Sequence, residues 1–172
     1  MESIRIVALC IIAACLYGIV HDQFTARICL EYFTIFHPPV FATPSPTLLG
    51  IGWGILATWW VGALLSIPLM IAARAGSRPS TPAARLVKPI ATLLIVMAVC
   101  AAVVGLAGYF LAAQGKIATD WLAATLLPSS ARFRFMGVWW AHSASYASGI
   151  VGGALLCAIT YRRRRRLPLL KN

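Results

Sequence analysis

The chain carries three histidines, His21, His37 and His142, and each stands near groups that could share chemistry with it. Asp22 directly follows His21, Glu31 precedes His37 by six residues, and Tyr146 lies one helical turn beyond His142. Imidazole nitrogen with carboxylate oxygen suits a divalent metal such as Zn²⁺, Fe²⁺ or Mn²⁺, and an incomplete protein shell leaves room for water or substrate. None of the usual helical signatures is present: there is no H-E-x-x-H, no E-x-x-H and no helical histidine pair. The candidate metal site therefore has to be assembled by the fold. It consists of His21, Asp22, Glu31, His37 and His142, with Arg27 and Tyr146 in support.

The same residues also allow other readings. His142 would bond a neighbouring backbone or hydroxyl group, while Asp22, Arg27 and Glu31 form a network that pins the segment. Arg27 and Glu31 are four apart, so one helical turn would let them pair. A haem b, a weaker candidate than the divalent metal, would take His21 and His142 as axial ligands. No methionine or further histidine stands at matched depth to support it. Cys29 or Ser143 beside a histidine would make a nucleophile and base, but no elbow motif surrounds either. There is no C-x-x-C, which argues against dithiol exchange.

The elements that must position these groups follow from composition. Of 172 residues, 60% are hydrophobic and 11% charged, with a net charge of +11. A water-soluble domain has about 45–50% apolar and about 25% charged residues, so with a mean hydropathy of +0.84 lipid is the solvent. Runs free of charge predict an all-α, four-helix transmembrane bundle with spans at about 4–20, 47–73, 89–114 and 136–161. At about 1.5 Å per residue the last three cross a hydrocarbon core of about 30 Å, and the first is near the lower limit. Backbone groups in lipid must bond within their own segment, hence helices. Pro38, Pro39, Pro44 and Pro46 keep the second span from starting earlier. The charge-free runs leave no buried acid or broken-helix pair for a transport pathway.

Loop charge sets the orientation. With both termini inside, Arg5, Arg74, Arg78, Arg85, Lys88, Arg162–Arg166 and Lys171 are cytoplasmic, and only Arg27, Lys116, Arg132 and Arg134 lie outside. The inner loop is then 74–88, and the outer loops are 21–46 and 115–135. The basic tail 162–172 reads as a topology determinant that meets anionic lipids of the bilayer, not as a nucleic-acid site. The apolar run continues past Cys15, so the first span is expected to be retained rather than cleaved. The loop 21–46 carries Phe24, Leu30, Tyr32, Phe33, Phe36 and Phe41, and is expected to fold as a cap over the outer mouth. In the second loop, Thr119 or Asp120 caps a short interfacial helix, with Trp121 at headgroup depth, Leu122, Leu126 and Leu127 facing lipid or the bundle, and Pro128 ending it. Arg132 and Arg134 are expected at lipid phosphates. Ala141, Ser145, Gly149 and Gly153 form a small-residue stripe for helix contact.

The string HDQ-x-T-A-R-x-C-x-E-Y-F-T at 21–34, H-P-P at 37–39, S-P-T-L-L-G-x-G-W-G at 45–54 and W-A-H-x-x-S-Y at 140–146 resembles a family of small bacterial four-pass inner-membrane proteins. The resemblance implies that fold and that membrane; it carries no activity and no site residue with it. The leading functional reading is a single-domain, multi-pass protein whose outer mouth binds a metal or small ligand, with or without catalysis. The alternative is a non-catalytic accessory or assembly subunit of a larger membrane complex, or a homo-oligomer, packed through its glycine stripes.

Overall fold

A computed structural model describes residues 1–125 and 127–168. Leu126 and Lys171, assigned above to the interfacial helix and the basic tail, lie outside the described residues. Among the described residues the fold is all-helical, with no strand. Four stretches are long and apolar enough to cross a membrane: Glu2–Ile28, Pro46–Arg74, Ala84–Ala113 and Ser129–Arg165. The chain is a multi-pass membrane protein. Rows of exposed aliphatic side chains, such as Ile12, Leu16 and Val20 or Val99, Val103 and Leu106, fit faces turned to lipid.

The first helix, α1 (Glu2–Ile28), runs eight residues past the expected span end at 20. Hydropathy falls at His21, but the helix continues because Asp22, Thr25 and Ala26 are buried against neighbouring helices rather than exposed to water. It stops at Cys29, whose extended backbone (φ −147°, ψ 94°) closes the last turn by donating its N–H to the Thr25 carbonyl at 3.0 Å. A single turn, α2 (Glu31–Thr34), follows. Phe33 is buried with Leu49 and Trp53, Tyr32 and Phe36 pack on Phe135, and Phe41 meets Trp53. Phe24, expected in this cap, is instead 68% exposed, because the longer α1 turns it outward.

The second span is two helices, α3 (Pro46–Leu56) and α4 (Trp59–Arg74), where the sequence read as one. Ser45 Oγ accepts from the Leu48 N–H, and Pro46 occupies the first turn, where a missing donor costs nothing. At the interruption, Thr58 Oγ1 donates to the Gly54 carbonyl at 2.5 Å and satisfies a group that the break would otherwise orphan. Gly54 also crosses Gly18 of α1: a Cβ on Gly18 would stand 2.4 Å from the Gly54 oxygen. Only two bare backbones can come this close.

The third span is α5 (Ala84–Ala113) and the fourth α6 (Arg132–Arg165), and they pack along each other's length. Gly105 meets Gly137 and Ala141 there, and Ala141, Ser145, Gly149 and Gly153 are all buried, as the stripe predicted. Thus α1 packs on α3 and α4, α5 packs on α6, and the two groups meet mainly through α4 and α6. The segment 120–125 forms a 3₁₀ helix rather than an α-helix, and Leu122 and Leu127 turn inward to pack with Phe135 and Met136.

At the end of the molecule with the arginine run, Arg164 is 3% exposed, against the expectation that the whole run meets lipid. Its guanidinium donates to the carbonyls of Ala72, Ala75, Arg78 and Pro79, capping the C-terminus of α4. Arg162, Arg163, Arg165 and Arg166 remain exposed. Glu2 accepts from Arg5 at 2.5 Å and from the Ala83 N–H at 3.0 Å, at the start of α5.

Candidate metal centre

His21 and Asp22 come from the last two turns of α1, and His142 comes from the third turn of α6. Two features set this register. Tyr17 lies one turn below His21 on α1 and stacks on its ring at 5.7 Å, while its hydroxyl shares a 2.7 Å hydrogen bond with Ser145 of α6. The Gly18–Gly54 crossing holds the same turn of α1 against α3. His21, Asp22 and His142 thereby converge, each with one donor atom within 4.8 Å of the others. The Asp22 side chain is 8% exposed and that of His142 13%.

The hydrogen bonds fix what these atoms can be. Nδ1 of His142 lies 2.9 Å from the Val138 carbonyl, which can only accept, so Nδ1 carries a proton. Nε2 of a neutral imidazole then presents a lone pair, and it stands 3.2 Å from Oδ1 of Asp22, another acceptor. Two acceptors at that distance need a cation between them: a proton, making an imidazolium–carboxylate pair, or a metal. His21 supplies the third group: one of its ring nitrogens lies within 4.8 Å of the other two ligand atoms, and its Nε2 is buried without a hydrogen-bond partner. Metal bonds of about 2.0–2.2 Å place neighbouring ligands about 3.4 Å apart, so a modest adjustment of the His21 ring completes a two-histidine, one-carboxylate set. The Val138 carbonyl would orient His142, as backbone acceptors do for metal-bound imidazoles.

A haem does not fit. The His21 and His142 rings meet edge to face with centroids 4.6 Å apart, which leaves no space for a porphyrin plane between them.

The other sequence candidates fall around this trio. His37 is in the segment before α3; its Nδ1–H donates to the Tyr32 carbonyl at 2.8 Å, and its ring packs on Trp53 and Phe33. Burial holds its basicity below the ordinary histidine value, against the Tyr32 carbonyl, which acts the other way. Tyr146 lies one turn below His142. Both line the cavity onto which the trio opens, but neither is among the three converging groups. Glu31 stands apart, 3.8 Å from Arg134, with the Cys29 thiol donating to it at 3.4 Å. The expected Arg27–Glu31 pair does not form, because the helix ends at Ile28 and Glu31 is no longer one turn on. Arg27 donates instead to the Gln23 carbonyl and side chain and to Thr47 Oγ1. Arg134 thus has Glu31 as a neighbour while its side chain stays 47% exposed. Burial pushes the Cys29 thiol up to about 11, so it stays protonated and makes a poor nucleophile.

Tyr32 escaped the sequence reading as a site residue. Its ring stacks on His142 at 4.7 Å and 29°, and burial pushes its hydroxyl up to about 12, so it remains a neutral wall of the site. Tyr17 reads from the sequence only as a span residue, and Ser145 only as part of the small-residue stripe. Tyr17 was within reach of the sequence: it is His21 minus four, on the same face once α1 is extended.

No family model, no curated protein and no solved structure matches the chain.

Proposed function

We propose that this protein binds a divalent metal ion through His21, Asp22 and His142, with a coordination position left open toward an apolar intramembrane cavity. The observation that carries the reading is the convergence of three potential ligand atoms within 4.8 Å, while His21 Nε2 is buried without a partner and the His142–Asp22 pair needs a cation. Two histidines and one carboxylate with an open position are the donor set of catalytic Zn²⁺ and non-haem Fe²⁺ centres, so a hydrolytic or oxidative use of the site is the chemistry it fits. His37 and Tyr146 face the same space as second-line polar groups. Glu31 with Arg134, and Arg27 with Thr47, hold the covering segment in place. We place both termini and the exposed arginines on the cytoplasmic side of a bacterial inner membrane, where anionic lipid meets Arg162, Arg163, Arg165 and Arg166, and the metal centre on the outer side.

The test is elemental analysis of the purified protein with a Co²⁺ titration in detergent. One equivalent bound per chain is expected, and His142→Ala should weaken it by more than about 100-fold, beyond the loss seen for outer partners of metal ligands. A protein that takes up no ion, or a variant that binds as well as the parent, refutes the reading. Orientation is checked separately by labelling Thr43→Cys and Ser80→Cys with an impermeant reagent: only the first should react in intact cells. The reverse pattern overturns the placement.

A further inference from the structure

The cavity beneath the trio is far longer than a metal site requires. Its lining runs along α1 from Asp22 to Cys10 and along α6 from His142 to Cys157, about 18–22 Å at about 1.5 Å per residue. Its volume is about 370 Å³ and its walls, from Ala14 and Leu65 to Leu93 and Met97, are apolar below the Tyr17–Ser145 level. Half of a hydrocarbon core of about 30 Å is about 15 Å, so the space is deep enough for the tail of one leaflet. An apolar space of this kind does not hold water.

Trp60 and Leu64 of α4 and Tyr146 and Ile150 of α6 line the same cavity and are exposed on the flank of the molecule. They form a gap between the second and fourth spans, open sideways to lipid. The space is narrow: a Cβ on Gly153 would already touch Leu65 at 3.5 Å, and one on Gly149 would stand 3.1 Å from Met97. Walls this close favour a single acyl chain over a pair.

We infer that the cavity takes a single-chain lipid from the leaflet at the histidine end. The chain enters between α4 and α6, and its oxygen-bearing head lies at the open position beside His21, Asp22 and His142. The place of the head rests on the metal reading above; the place of the chain rests on the cavity alone.

The probe is palmitic acid carrying a mid-chain diazirine, photolysed with the protein in lipid nanodiscs and mapped by peptide mass spectrometry, alongside a Co²⁺ titration of the same preparation. Label is expected on Leu65 and Leu93, competed by unlabelled palmitate, which should also alter the visible spectrum of the Co²⁺-loaded protein. Gly153→Leu puts a branched side chain across the cavity. Overpacking of about 1.4 kcal/mol corresponds to tenfold weaker binding, so labelling should fall at least that far while Co²⁺ binding stays. Gly153→Ala, whose methyl makes only ordinary contact, should behave as the parent. Met97→Trp is a second plug from α5, should Gly153→Leu not fold. His142→Ala should lose Co²⁺ and the spectral change but keep the label. Labelling confined to lipid-facing positions such as Val103 and Leu155, or indifferent to both plugs, overturns the inference. Cavity labelling in a protein that binds no Co²⁺ supports the chain site and refutes the metal reading instead.

Discussion

Replacing Asp22 by asparagine or by leucine separates the structural demand of the site from its demand for a cation. In the parent, Oδ1 of Asp22 faces the Nε2 lone pair of His142 at 3.2 Å, and both side chains are nearly excluded from solvent. Asparagine has the same shape and, with Nδ2 turned to His142, donates to that lone pair without any cation. Its cost in stability should stay below about 1.5 kcal/mol, the range of a single exchanged hydrogen bond. Leucine leaves Nε2 of His142 unpartnered beside the already unpartnered Nε2 of His21. The His21 atom is unpartnered in the parent as well and adds no difference, so the one new buried orphan costs about 1–3 kcal/mol. Metal binding should order the variants differently. Both lose an anionic ligand, so both should lose more than about 100-fold in affinity, at least about 2.7 kcal/mol. Thermal unfolding and Co²⁺ absorption measured in one detergent give both quantities. The site as described requires Asp22→Asn to be stable and metal-poor. Parent-like affinity in that variant, or greater instability than Asp22→Leu, refutes the assignment of the His142–Asp22 pair.

Arg164→Met removes four charge-assisted bonds to backbone carbonyls and should cost about 3 kcal/mol or more; Arg165→Met, at an exposed site, should stay within about 0.5 kcal/mol. Equal melting shifts in detergent would show that the Arg164 contacts contribute nothing. Burial holds His37 below its ordinary value of 6.5, so the unfolded chain takes up its proton first as pH falls. Stability from this residue is present above that pH and lost below it; His37→Asn keeps a donor for the Tyr32 carbonyl without titrating and should flatten the unfolding profile in that range. A profile with the same slope in both proteins counts against a buried neutral His37. Gly18→Ala forces a methyl to within 2.4 Å of the Gly54 oxygen, so α1 must shift and carry His21 and Asp22 away from His142. Weakened Co²⁺ binding in a folded protein is expected, and undiminished binding would mean that the crossing does not set the site.

The four membrane-crossing helices were legible because long charge-free runs leave the backbone no alternative to helix in lipid. What the runs could not show is where a helix outlasts its hydrophobic stretch. Hydropathy measures transfer to lipid, whereas Asp22 and Thr25 are buried in protein, where hydrogen bonding and packing decide. The break at Ala57–Thr58 was hidden for the opposite reason: its freed carbonyl is satisfied locally by Thr58, so it needs no proline or polar cluster to mark it. Arg164 looked like its four neighbours because one-dimensional charge cannot distinguish a side chain facing lipid from one turned onto the carbonyls at the end of another span.

The site was legible in its residue types and not in its partners. His21, Asp22 and His142 were candidates because histidine and carboxylate are costly near lipid and so need a reason to be there. Proximity in sequence then misled for the rest. Glu31 is four residues from Arg27 but pairs with Arg134, because one extended residue at Cys29 ends the helix that would have joined them. His142, 120 residues from Asp22, is brought to 3.2 Å by contacts that involve no charge: the bare crossing of Gly18 on Gly54 and the Tyr17–Ser145 bond. Small residues therefore do two jobs here. Glycines that close the α1–α3 crossing set the register of the polar trio, and Gly149 and Gly153 of α6, whose missing side chains would crowd Met97 and Leu65, line the narrow space beneath it. A single metal ion could bind without that space. Its depth and its apolar walls are what the proposed lipophilic ligand rests on, beyond an ion alone.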